Sequence, residues 1–254
     1  MGVIVSEAYT AEARTNELGQ PIGEALPDWS PVPLPPRTPM EGTFCRLEAL
    51  DISHAQDLFE AFAQDKTGRS WTYLPQGPFS EFAAFEKWME GVCVQDNALF
   101  HVIIDLETGK PVGIASYLRI KPAIGSIEVG YLNFSPLLQK RPAATEAMYL
   151  MMRRAFSELG YRRYEWKCDV LNAASRRAAE RLGFHFEGMF RQAVIYKGRD
   201  RDTAWFSILD REWSVIAPAY DEWLADVRAS SDGEQKQSLG TIIKRHVAAR
   251  GLHR

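Results

Sequence analysis

The 254-residue chain has little cysteine, no long apolar run and no strong excess of either charge. Its three cysteines, Cys45, Cys93 and Cys168, are far apart, with no C-x-x-C pair and no Cys/His cluster. That excludes a disulfide framework and a zinc site, so no metal is expected, and a reducing cytoplasm fits. No stretch approaches the roughly 18 apolar residues of a membrane-spanning helix, and the N-terminus lacks a charged-then-apolar leader pattern. No membrane partner is expected. The opening Met1 to Ser6 does satisfy a loose myristoylation motif, but the motif is short and an untethered terminus is the simpler reading. With 30 Lys and Arg against 33 Asp and Glu, the formal charge is -3. Duplex binding normally rests on an excess of Lys and Arg, so no nucleic-acid partner is expected. No internal repeat is visible.

What the chain does have is 46% hydrophobic residues, enough to fill a core. Its length exceeds the roughly 100–200 residues of a typical domain and falls short of two. Three parts are expected: an extended Pro-rich arm over residues 1–42, a catalytic domain over 43–213, and a helical extension over 214–254. In the arm, Pro27, Pro31, Pro33, Pro35, Pro36 and Pro39 withhold backbone donors and favour extended chain, and Trp29 can pin it to the domain surface.

Strands are expected at 43–49, 98–105, 112–120, 125–134, 162–170, 186–196 and 203–210. Helices are expected from Asp51 to about Gln64, from Ser80 onward, from Ala143 to Leu159, over 173–182 and over 213–227. Leu239, Ile242, Ile243 and Val247 would be the packing face of a terminal helix. Alternation along 125–134 sets Ser126, Glu128, Gly130, Leu132 and Phe134 on one face and Ile127, Val129, Tyr131 and Asn133 on the other. In the long helix, Ala144, Met148, Met151, Ala155 and Leu159 form one core stripe. The pattern is β-α-α-β-β-β-α-β-α-β-β, a mixed α/β layered fold.

Two stretches carry chemistry. Asn172-Ala173-Ala174-Ser175 stands where a strand ends and a helix begins. Alone it is an ordinary helix cap as often as not; here the Asn172 amide can also bond to an amide of an extended ligand. Gln139-Lys140-Arg141-Pro142-Ala143-Ala144, followed by Thr145, precedes the long helix, and free amides at a helix N-terminus bind phosphate well.

The element order and these motifs resemble the GNAT superfamily of N-acetyltransferases, most closely the branch that includes RimJ and RimL, over about residues 43–213. The branch signature N-x-x-S, helix, G-F-x-x-E-G is matched at each fixed position by Asn172, Ser175, Gly183, Phe184, Glu187 and Gly188. The resemblance implies a mixed, mostly antiparallel central sheet with helices on both faces and splayed central strands. It implies acetyl-CoA as co-substrate and an amine acceptor, and it allows a homodimer. Asn172 would contact the pantetheine arm, with Arg176 on the same helix, and Ser175 would donate to the departing thiolate. Backbone around Leu132, Asn133 and Phe134 would polarise the thioester carbonyl. Gln139, Lys140, Arg141, Ala143, Ala144 and Thr145 would hold the pyrophosphate, although Pro142 replaces the family's central glycine and removes one N–H. Lys140 and Arg141 can offset that loss with charge.

Glu128 lies on the strand ahead of that loop, where related histone acetyltransferases carry a base glutamate. It is therefore the candidate base, against the plainer reading of a solvent-facing strand carboxylate. Trp71 and Tyr73, in the loop after the first helix, would line the acceptor side and hold an ammonium by cation–π attraction, or else anchor the loop in the core. The expected reaction is direct transfer in a ternary complex, with Glu128 and Ser175 catalytic and no metal. Pro142 keeps a non-catalytic acyl-CoA-binding domain open as an alternative, and succinyl-CoA remains a possible donor.

Overall fold

The computed structural model describes residues 14–94, 97–230 and 237–251. The Met1 to Ser6 motif lies outside them. The described part of the arm begins with a small antiparallel pair, β1 (Arg14–Thr15) and β2 (Pro21–Ile22), then runs extended to β3 (Met40–Glu41). Its prolines offer few donors, so much of its anchoring comes from the rest of the molecule. Tyr161 donates its hydroxyl to Pro33 O at 3.1 Å, and the buried Arg154 guanidinium donates to Thr38 O and Pro39 O at 2.5 and 2.8 Å. Trp29 does pin the arm: its indole donates to Ala123 O at 2.9 Å and covers Gly125, where a side chain would collide with the ring.

The main sheet adds β4 (Cys45–Ala49), β5 (Ala98–Asp105), β6 (Lys110–Lys121), β7 (Ser126–Phe134), β8 (Arg163–Asp169), β9 (His185–Tyr196) and β10 (Arg199–Leu209). The spatial order is β3-β4-β5-β6-β7-β8-β10-β9, antiparallel throughout except for the β7–β8 pair. Helices α1 (Ala55–Phe62) and α2 (Phe82–Cys93) pack Leu58, Phe62, Phe85 and Met89 against Phe100, Val102 and Ile114 on one face. Helices α3 (Pro142–Arg153), α4 (Ala173–Arg181), α5 (Asp210–Ala229) and α6 (Leu239–Ala249) share the other core with Ile103, Val129 and Tyr164. This is the expected mixed α/β architecture, and the expected face of the terminal helix is its buried one.

Three expectations need correction. First, strict alternation fails along β7. Tyr131 takes a left-handed φ of 49°, and the β6–β7 register slips between Gly130 and Asn133. This is a bulge, which inserts an extra residue and exchanges the faces beyond it. Glu128 and Gly130 stay on the α1–α2 side with Tyr131, whereas Leu132 and Phe134 cross to the α3 side. Second, the long helix does not stay α-helical to Leu159: α3 stops at Arg153 and a π-helical turn spans Arg154–Glu158. Nor does α3 bury a single stripe, because β4 and α5 also pack on it and every residue from Ala143 to Met152 is buried. Third, α5 starts at Asp210 and carries Pro218 within it rather than beginning near Trp213.

The bulge positions the site. Parallel pairing of β7 with β8 covers only Ser126↔Arg163 to Val129↔Trp166. Beyond Val129 the strands part, and β7 has no ladder partners on its β8 side. A cleft opens there.

Candidate active site

The cleft has a volume of about 620 Å³ and runs from the α4 entrance, across the parted strands, to the β9–β10 hairpin. Its walls include Glu128, Tyr131 and Leu132 from β7, Trp166 to Asp169 from β8, Asn172 and Ser175 at α4, and Tyr73 to Pro75 from the loop after α1. The two candidate catalytic residues therefore face one space.

At the α4 entrance, Asn172 Oδ1 accepts from Ser175 N at 3.0 Å, so the side chain is a helix cap. The cap uses its carbonyl oxygen and leaves the amide NH2 for a ligand. Ser175 Oγ accepts from the Trp166 indole at 3.0 Å. That bond occupies an oxygen lone pair and leaves the hydroxyl proton to be donated, with the Cys168 sulfur as its neighbour in the protein. Arg176 reaches back to Val170 O at a long 3.4 Å, and its Nε is buried without a partner.

Ahead of α3, Gln139 donates to Phe134 O at 2.7 Å and ties the end of β7 to the turn. Lys140 is exposed and left-handed, with φ 62°. Arg141 caps the helix with extended backbone, and Pro142 occupies its first turn, where a missing N–H does least harm. The expected compensating charge of Arg141 is committed elsewhere. Its guanidinium pairs with Asp105 at 2.8 Å and Glu107 at 2.6 Å on the β5–β6 hairpin, and only Lys140 remains unpaired in this turn among the described residues. Ala143 and Ala144 are buried in the first turn, and Thr145 Oγ1 accepts from Arg181 at 3.2 Å. Asn133 is 1% exposed with both side-chain amide atoms unpaired, and it points into the protein beside Ile114, not into the cleft.

Glu128 is 3% exposed but far from apolar in its surroundings. Oε1 meets Arg119 at 2.5 Å and Oε2 meets Lys167 at 2.7 Å. Burial is the largest influence and pushes its carboxyl above the usual range; Lys167 and then Arg119 oppose it. Lys167 also pairs with Glu165 at 2.7 Å and lies 3.7 Å above the Trp205 ring. The two cations differ in freedom: the Arg119 side chain is 53% exposed, the Lys167 side chain 9%.

The aromatic loop divides. Tyr73 lines the cleft and its hydroxyl donates to Leu171 O at 3.1 Å. Trp71 does not: it is 4% exposed and packs edge-on against Phe62, Phe79 and Trp88, so its role is core anchor rather than acceptor cage. Sequence reading missed Arg119, Trp166, Lys167, Phe190, Arg201, Thr203 and Trp205, all held against this site by cross-strand register. Among the described residues, no group of His, Cys, Asp and Glu is arranged to hold a metal, and no helix is long and apolar enough to cross a membrane.

The site thus joins a sheet that splays beyond Val129, a capped helix entrance and a buried carboxylate on the cleft wall. The acetyltransferase (GNAT) domain family matches residues 45–185, and the chain belongs to that family of acetyltransferases. Among solved structures, a GCN5-related N-acetyltransferase from Brucella melitensis is 45% identical, with 86% of this chain and 100% of that one covered and a TM-score of 0.84. A probable GNAT-family acetyltransferase from Chromobacterium violaceum is 41% identical, covering 77% of this chain and 98% of that one, with a TM-score of 0.71. The ribosomal-protein-serine acetyltransferase of Escherichia coli K12 is 26% identical over 152 residues, which are 58% of this chain and 82% of that protein. The likeness to the RimJ/RimL branch, read from residues 172–188, agrees with that relative. The family uses acetyl-CoA as its acyl donor.

Proposed function

We propose that this acetyltransferase moves the acetyl group of acetyl-CoA onto a primary amine by direct attack within a ternary complex. The observation that carries the reading is the shared cleft: Glu128 and Ser175 face one space beside the unpaired edge of β7. The thioester would lie along that edge, where free N–H groups of the Leu132 to Phe134 segment polarise its carbonyl. Asn172 would hold the pantetheine amide, and the turn from Gln139 to Thr145, with Lys140, the pyrophosphate.

The amine arrives as an ammonium. It displaces the exposed Arg119 from Glu128 Oε1, while Lys167 keeps the carboxylate anchored through Oε2. Glu128 then takes one proton, the amine nitrogen forms its bond to the carbonyl carbon, and the C–S bond breaks with Ser175 donating a hydrogen bond to the departing sulfur; the second proton lost by nitrogen passes to that sulfur, giving the neutral amide and the CoA thiol, and Glu128 returns its proton to solvent. Holding both reactants in one cleft supplies much of the rate, since positioning is worth about 7–11 kcal/mol. Residues 43–213 would form this catalytic unit, with the arm and the C-terminal helices as supports, and the cytoplasm as its compartment. Thiol release measured across a panel of amines tests the assignment; binding of acetyl-CoA without release for any amine would sink it.

A further inference from the structure

Arg201, Thr203 and Trp205 alternate along β10 and all three line the cleft. Each holds a polar atom that is buried and unpaired: Arg201 Nε, Thr203 Oγ1 and Trp205 Nε1. Thr203 is only 4% exposed. Buried donors without acceptors are destabilising, and native proteins leave few of them. Three on one face of one strand, all at one cleft, indicate a ligand that brings the acceptors. The Trp205 ring is fixed between Phe190, stacked at 4.4 Å, and the Lys167 ammonium, so its N–H direction is set in advance.

Charge narrows the ligand further. Arg119 and Lys167 are paired with Glu128, and Lys197 donates to Trp71 O at 2.8 Å. Arg201 has no carboxylate partner among the described residues; its guanidinium lies 5.8 Å from the Tyr196 ring centroid. Asp169, across β8 from Thr203, has its oxygens engaged by the Tyr196 hydroxyl and the Leu171 amide, each at 2.8 Å. The hairpin end of the cleft therefore presents a planar cation that forms no ion pair among the described residues, beside two further donors, with the Asp169 carboxylate facing them but held by its own hydrogen bonds. That is the chemistry that grips a carboxylate.

We propose that the acceptor amine also carries a carboxylate, bound by Arg201, Thr203 and Trp205 while the amine reaches Glu128. This rests on the acetyltransferase reading and names its substrate class. Glu128 on β7 and Thr203 on β10 lie two strand spacings apart across β8 and four residues apart along it, opposite Glu165 and Asp169, which sets their backbones roughly 16 Å apart, a span shortened by the side chains reaching in from both ends. That separation suits a di- or tripeptide with a free C-terminus better than a polyamine, which Arg201 would repel.

The test compares di- and tripeptides bearing a free carboxylate with the same peptides amidated at the C-terminus, for wild type, Arg201→Gln, Arg201→Lys and Thr203→Val. Thiol release gives kcat/KM, and calorimetry with acetyl-CoA shows that each variant is folded and binds its donor. Wild type should prefer the free carboxylate by about tenfold or more, the size expected for a charge-assisted hydrogen bond. Arg201→Gln should bring that ratio to near one; Arg201→Lys and Thr203→Val should fall between. Equal use of both peptide forms by wild type overturns the proposal, as does an unchanged ratio in Arg201→Gln or release with other amine classes alone. Release with no amine of any class, despite acetyl-CoA binding, overturns the transferase assignment itself and this inference with it.

Discussion

The two walls of the cleft are built by different physics. On the wall proposed for the acyl donor, side chains satisfy nearby backbone: Asn172 caps Ser175 N in the cleft, and behind its lining Gln139 ties Phe134 O, with the start of α3 one turn beyond. On the acceptor wall, side chains hold one another across strands: Arg119 and Lys167 clasp Glu128, and Lys167 also engages Glu165 and the Trp205 face. The capping groups there, Asn172 and Gln139, are neutral amides and do not titrate. The ion-paired wall titrates, so changes there should move pH profiles and changes on the donor wall should not.

The largest effect expected is on the acceptor wall. Glu128→Gln keeps shape and removes the basic site, so kcat should fall about 100-fold or more near neutral pH. The deficit should narrow as pH rises and free amine becomes available, while acetyl-CoA affinity stays unchanged. Wild-type rates from about pH 6 to 9 would remove Glu128 from the chemistry. For Ser175→Ala, on the donor wall, kcat should drop by about 10- to 100-fold with no movement of the pH profile. An unchanged kcat would reduce Ser175 to the partner of the Trp166 indole.

Lys167→Met probes the titration directly. Lys167 is the larger of the two cationic influences that lower the Glu128 carboxyl against burial. Without it the folded carboxyl rises further, so the proton is held to higher pH and less of the base is available. The acidic limb of kcat/KM should therefore move to higher pH, with the plateau less affected. A limb that stays in place would show that Lys167 is structural and that Arg119 alone governs the charge.

The difference between the walls also explains what the sequence disclosed. Residues 139–145 and 172–176 each sit within one turn of a helix start, so their spacing alone singles them out as candidates, and the structure brings Asn172 and Ser175 of them to the cleft. Arg119, Glu128, Lys167 and Trp205 come from four strands, and their meeting depends on register, which no local pattern specifies. Glu128 was legible as a candidate; its two cations were not. The Tyr131 bulge hid a second feature, because alternation across it assigns Leu132 and Phe134 to the wrong face. Trp71 and Tyr73 stand two residues apart in one loop, yet a turn at Arg69–Trp71 sends the first into the core and leaves the second at the cleft.

The smallest effect concerns Pro142, which stands where the loop pattern of the resemblance has its central glycine. Pro142 withholds an N–H at the helix start, and Arg141, which carries charge next to it, spends that charge on Asp105 and Glu107. If this turn holds the pyrophosphate as proposed, it does so with one amide donor and one cation fewer than the resemblance implies. Pro142→Ala restores the N–H while keeping a side chain suited to a first helical turn. A hydrogen bond of ordinary net strength, about 0.5–1.5 kcal/mol, would tighten acetyl-CoA binding by about 2- to 10-fold. Pro142→Gly should give a similar gain in affinity but lower the melting temperature of the free protein, since glycine frees the unfolded chain by about 0.4–1 kcal/mol more. Calorimetry and a thermal melt of both variants separate the two contributions. If neither variant binds more tightly, the amide at this position does not face the pyrophosphate, and the donor wall holds its anion through Lys140 and the remaining helix amides alone.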